Sequence, residues 1–169
     1  MALVWILCVL VGVGSGSGVA DTAFVQEYHE AYVVGAEAAE NDVRAVAVDG
    51  DGTVWAATGA GAYRLEKGQE KWEGLLRPSD AGPMYDVVVD RDGIAWLGGW
   101  NGIYRATGGG LEKVKDTGHP IAALCVTEDE VIALGNGGIW HVTGDGCRFE
   151  EVPYSKHFRA VASDRRGGL

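Results

Sequence analysis

The side chains of this sequence that could do chemistry are four histidines, three cysteines and a set of closely spaced aspartates. His29, His119, His141 and His157 stand apart, with no partner repeated near any of them. An isolated imidazole in a β-rich chain is a surface or hydrogen-bonded group rather than a general base. Asp51 and Asp92 are the tempting calcium ligands, each inside an Asp-x-Asp-Gly segment. Two carboxylates in one hairpin loop fall far short of the roughly six to eight oxygens that calcium takes, so both are expected to form turns. Cys125 and Cys147 match no metal-binding spacing, and the one nearby histidine, His141, lies six residues before Cys147. These residues therefore predict no catalytic group, no metal site and no cofactor; an enzyme built on this chain would need a site in segments beyond it.

The bulk balance is that of an ordinary folded domain, with 47% apolar and 22% charged residues among 169. The 27 glycines are spread between short apolar runs, which suits many short strands joined by tight turns. A formal charge of −10 leaves no basic face for a phosphate backbone, and the one basic pair, Arg165-Arg166, is too short to make one. Nucleic acid is excluded as a partner on these grounds, and an acidic surface also repels anionic lipid.

Residues 2–13 are an almost unbroken apolar run, followed by Gly14-Ser15-Gly16-Ser17-Gly18-Val19-Ala20 and then the polar Asp21. The run is shorter than the roughly 20 residues needed to span a bilayer. An apolar N-terminus ending in small residues predicts a signal peptide over residues 1–20, cut between Ala20 and Asp21 and carrying Cys8 away. No Lys or Arg precedes the run, and the competing reading makes it a buried first strand. Trp5, Ile6 and Leu7 before Cys8 argue against a lipid anchor there.

A repeat organises the remainder. Asp49-Gly50-Asp51-Gly52-Thr53-Val54-Trp55 returns as Asp90-Arg91-Asp92-Gly93-Ile94-Ala95-Trp96, 41 residues on, and Gly61-Ala62-Tyr63-Arg64 returns as Gly102-Ile103-Tyr104-Arg105 at the same offset. A shortened third copy contains Gly138-Ile139-Trp140-His141, with Ile132 where the others have Trp and with Thr127-Glu128-Asp129-Glu130 in place of the Asp-x-x-Gly turn. Phe158-Arg159-Ala160-Val161-Ala162 opens a fourth copy that mirrors Val43-Arg44-Ala45-Val46-Ala47. Aligned on the first copy, Leu169 falls at Val54, which reads as a piece of a longer protein.

Each copy divides into four short strands. In the first they are residues 43–48, 54–58, 62–65 and 72–76, separated by turn residues with tolerance for left-handed backbone. Four strands in a repeat of about 40 residues make the blade of a β-propeller. The fold predicted is all-β, an incomplete propeller of three blades plus the start of a fourth, each of four antiparallel strands. Blades span about residues 43–80, 84–117, 121–154 and 158–169, after a lead-in strand and loop over residues 21–42. Both faces of inner strands are then buried, as in Val87-Val88-Val89, and Trp55 and Trp96 fill the wedge between neighbouring blades. Cys125 and Cys147 fall on the first and fourth strands of one blade, three spacings of about 4.8 Å apart, too far for a disulfide; both are predicted to be free thiols.

The pattern Val-x-Ala-Val-x-x-Asp-x-x-Gly-x-x-Trp-x-x-Thr-x-x-Gly-x-Tyr-Arg over Val43 to Arg64 resembles the two-component regulator propeller repeat. The related NHL repeat shares its Asp-x-x-Gly core and is the second choice. The resemblance implies blades of a periplasmic sensing region of hybrid histidine kinases, or of another secreted bacterial protein. It implies a binding or sensing module, the N-terminal part of a larger envelope or signal-transduction protein, with a small molecule, a glycan or a protein as partner. Membrane attachment would come only through downstream segments. A secreted scaffold without a small ligand, or a propeller enzyme, remains the alternative. Ligands of propellers are expected at the channel mouth. There the second copy breaks the repeat, having Gly99-Trp100-Asn101-Gly102 where the first has Thr58-Gly59-Ala60-Gly61, so Trp100 and Asn101 are the candidate ligand-binding residues.

Overall fold

β-Branched and aromatic runs of about five residues, each closed by a turn that folds the chain back, build one four-stranded antiparallel meander per repeat. The computed structural model describes residues 32–75, 81–152 and 159–162. The first meander is β1 (Val43–Val48), β2 (Val54–Thr58), β3 (Ala62–Leu65) and β4 (Glu73–Gly74). The second is β5 (Met84–Val89), β6 (Ala95–Gly99), β7 (Gly102–Ala106) and β8 (Leu111–Asp116). The third is β9 (Ile121–Val126), β10 (Val131–Gly135), β11 (Gly138–Thr143) and β12 (Gly146–Glu151). No helix occurs among the described residues. The first strand of each sheet lies against the first strand of the next, β1 on β5 and β5 on β9, as in successive blades of a propeller. The leader and residues 21–31 of the lead-in lie outside the described residues; residues 32–42 are bends and turns and carry no strand. Of the fourth copy only residues 159–162 are described, and they carry no strand pairing.

One strand is shorter than its sequence suggests. The outer strand of the first blade, expected over residues 72–76, pairs only through Glu73 and Gly74, with Leu75 N–H adding one bond of 2.9 Å to the Ala62 carbonyl. The preceding residues 66–71 are exposed and mostly charged, so little apolar area is gained by extending the ladder.

The repeated Asp and Trp form one device. Asp49 Oδ1 accepts the N–H groups of Asp51 (3.0 Å) and Thr53 (2.9 Å), and its Oδ2 accepts the indole N–H of Trp55 at 3.2 Å. Asp90 does the same with Asp92 (3.0 Å), Ile94 (2.9 Å) and Trp96 Nε1 (2.7 Å). Gly52 and Gly93 stand at φ of +87° and +79° in these turns, a conformation that favours glycine. Asp51 and Asp92 are exposed turn residues, as expected, while the carboxylates that organise the turns belong to Asp49 and Asp90. The third blade, lacking this aspartate, closes its turn with Thr127, whose N–H and hydroxyl both donate to the Glu130 carbonyl at 2.9 and 3.1 Å.

So held, Trp55 packs with Met84, Val87 and Leu97 in the core between the first two blades. Trp96 packs with Ile121, Leu124 and Val131 between the second and third. Both tryptophans are only 8% exposed. The repeated glycine that starts the third strand has a packing cause in two blades. A Cβ on Gly102 would lie 2.5 Å from the Lys115 carbonyl oxygen, and one on Gly138 would collide with the Glu150 carbonyl.

Partial burial pushes the Asp49 carboxyl upward, but the N–H groups of Thr53 and Asp51 and the Trp55 indole outweigh it and hold its pKa below the usual carboxylate range. A folded-state pKa below the unfolded one contributes stability that is present above the unfolded pKa and lost as pH falls through the folded one. The chain is therefore expected to lose stability progressively below about pH 4, with a flatter acid limb in Asp49→Asn. Urea midpoints measured from neutral to acid pH check this; parallel acid limbs in the two proteins would contradict it.

Candidate ligand-binding end of the propeller

Strand alternation puts the β2–β3, β6–β7 and β10–β11 turns at the same end as the connections between blades, and the aspartate turns at the other. Trp100 and Asn101 lie in the β6–β7 turn at the first of these ends. Trp100 is 54% exposed, its backbone N–H donates to the Pro83 carbonyl at 3.0 Å, and its Cβ lies 3.0 Å from where a Cβ on Gly82 would be. Its indole is thus a large open aromatic surface anchored on the connection between the first two blades. Asn101 is tied into the fold. Its Oδ1 accepts the hydroxyl of the fully buried Tyr104 at 2.6 Å, and its carbonyl accepts Thr117 N–H at 3.1 Å. It thereby serves the polar tip of a side chain buried in the core.

The strands nearest the axis add groups not singled out in the sequence. The Arg44 guanidinium pairs with Asp42 at 2.8 Å and lies 4.8 Å above the Tyr85 ring of the next blade. Asp86, at a bulge in β5, accepts Val87 N–H at 2.9 Å and Leu124 N–H of the third blade at 2.6 Å. Burial pushes its carboxyl pKa up against the opposing pull of these two bonds. In the first blade the same register position, opposite the second strand, holds Ala45. The departure from the repeat was visible; the bond to Leu124 depends on how the blades stack.

His141 is buried, with Nδ1 3.0 Å from Glu130 Oε1. Its Nε2 is 3.3 Å from Glu150 Oε2 but outside hydrogen-bonding geometry. It stands where Arg64 and Arg105 stand in the other blades, which pair with Glu73 (2.8 Å) and Glu112 (2.6 Å) on the outer strands, so it is a variant of a repeated structural pair. His119 is exposed in the connection between the second and third blades. His29, His157, Ala20 and Asp21 lie outside the described residues. Cys125 and Cys147 are free thiols, as two strands separate β9 from β12, and burial raises the pKa of both. Among the described residues no three His, Cys, Asp or Glu side chains converge as a metal site.

No family model matches the chain, and no curated protein sequence matches it. Solved structures do. The extracellular domain of BT4673 from B. thetaiotaomicron, described as a hybrid two-component system, is 18% identical with a TM-score of 0.66, over 75% of this chain and 19% of that one. The extracellular domain of BT3049 from the same organism, described in the same words, is 17% identical with a TM-score of 0.63, over 83% of this chain and 22% of that one. Virginiamycin B lyase from Staphylococcus aureus is 18% identical with a TM-score of 0.56, over 66% of this chain and 42% of that one. The chain spans 19–22% of the length of the two extracellular domains. At these identities the likeness is one of fold, and that fold is the β-propeller expected from the repeat.

Proposed function

We propose that these blades belong to an extracytoplasmic propeller that binds a ligand as a sensing module, at the N-terminal part of a larger envelope or signal-transduction protein. The observation that carries this reading is the likeness to extracellular domains of two proteins described as hybrid two-component systems. The apolar leader with its cleavage point between Ala20 and Asp21 supports a periplasmic or secreted location. Trp100, open to solvent at the end where blade connections gather, is the residue proposed to meet the ligand, a small molecule, a glycan or a protein segment. Asn101 supports that turn through Tyr104 and is a positioning residue.

Two measurements test this. Expressed in a bacterium with its leader, the protein is expected in the periplasmic or secreted fraction with Asp21 as its first residue; an intact apolar run on soluble cytoplasmic protein would reject export. A thermal-shift screen with mono- and oligosaccharides, amino acids and short peptides is expected to find a stabilising ligand whose effect is lost in Trp100→Ala. Hits that survive this substitution unchanged would remove Trp100 from the site, and a screen without hits would favour a scaffold.

A further inference from the structure

We propose that the rim of the third blade carries a second ligand site, one that takes a neutral, hydroxyl-bearing ring such as a pyranose. Tyr63, Tyr104 and Trp140 occupy the same place in the three blades, opposite Gly74, Lys113 and Phe149 of the outer strands. In the first two blades the polar tip of the aromatic is satisfied within the chain, Tyr63 by Glu40 Oε1 at 3.0 Å and Tyr104 by Asn101 Oδ1 at 2.6 Å. In the third, no described residue accepts the Trp140 indole N–H, which is reached by solvent, and Trp140 lines a pocket of about 340 Å³. That volume is at the lower end for small-ligand sites, about 300 to 1,000 Å³.

The lining fixes the chemistry. Phe149 lies beside Trp140, ring centroids 4.8 Å apart and planes tilted by 44°, and is 42% exposed, an open apolar ring on which another ring can lie. Asn136, His119, Thr117 and Glu151 complete the wall. The Trp140 N–H calls for an acceptor, while the Glu151 carboxylate calls for a donor. A hydroxyl group serves both. Glu151 and the overall charge of −10 oppose an anion, and the Lys115 ammonium, 5.0 Å from the centre of the Trp140 ring, opposes a cation. A neutral ring with one apolar C–H face and several hydroxyls meets every one of these demands. The site uses neither Trp100 nor Asn101 and holds whether or not the whole protein is a sensor.

Saturation-transfer NMR on the 169-residue chain with methyl glucoside and methyl galactoside, alone and as the terminal unit of a disaccharide, tests the site. Saturable transfer to the C–H face of at least one ring is expected. Trp140→Phe, which keeps an aromatic ring but removes the donor together with the pyrrole half of the indole, is expected to weaken binding about five- to tenfold, with the melting temperature little changed. Phe149→Ala is expected to abolish the transfer. Absence of transfer for every probe at tens of millimolar would overturn the proposal. So would binding that persists in both variants, or binding lost in Trp100→Ala and retained in Trp140→Phe, which would assign it to the β6–β7 turn.

Discussion

Trp96→Ala is expected to cost the chain about 3–5 kcal/mol, close to the whole stability of a domain this small. The indole is 8% exposed and fills the space between the second and third blades, where Ile121, Leu124, Val131 and Ala133 close around it. Truncation leaves a cavity and removes the partner of Asp90 Oδ2 at 2.7 Å. The carboxylate still accepts the N–H groups of Asp92 and Ile94, so the turn survives while the interface fails. Asp90→Ala acts from the other side, orphaning three donors for about 1–3 kcal/mol. As the two residues share one bond, the double variant should be less destabilised than the sum of the single ones. Urea unfolding of the four proteins gives the numbers. A loss below about 1 kcal/mol for Trp96→Ala would mean that the blades do not depend on the wedge.

The strands most legible in the sequence are those built from β-branched or alternating apolar runs. β1, β2 and β3 fall on the residues read from the pattern, because each is bounded by a turn whose chemistry is local. β4 was read as the outer strand over residues 72–76 but pairs only over Glu73–Gly74, since an outer strand gains little from burial and its length is set by what lies beside it. The equivalence of Trp55 and Trp96 was readable from spacing alone, and both are wedge residues. Their partners were not. Asp51 and Asp92 stood out as paired acids, yet Asp49 and Asp90 hold the turns, through tryptophans six residues away that return only once the hairpin has formed. The candidate site divides the same way. Trp100 could be seen as a break in the repeat and is exposed. Asn101 looked equally available, and its commitment to Tyr104 depends on two side chains meeting at a strand end. The change from Tyr to Trp at residue 140 was equally plain in the sequence, but that Phe149 lies opposite it follows from the β11–β12 register.

The 169-residue chain is expected to self-associate through its first blade, because the face of β1 is built for a neighbouring sheet. Val46, Val87 and Leu124 occupy the same place in their blades, paired with Ala56, Leu97 and Ala133. Val87 and Leu124 are each 4% exposed under the preceding blade, whereas Val46 is 60% exposed. Val48 is 61% exposed, and Val43 is exposed where its counterparts Met84 and Ile121 are fully buried. Burying a valine is worth about 1.5–3 kcal/mol, so three together can drive association even at a charge of −10, and more readily as salt screens that charge. Sedimentation velocity should show a species that grows with concentration and with ionic strength. Val46→Glu should return the chain to monomer without lowering its melting temperature. The same change at Val87, inside the interface of the first two blades, should unfold it. A sharp monomer for the unaltered chain at every concentration and salt would show that this face is stable in water, and that the blades do not need a neighbour there.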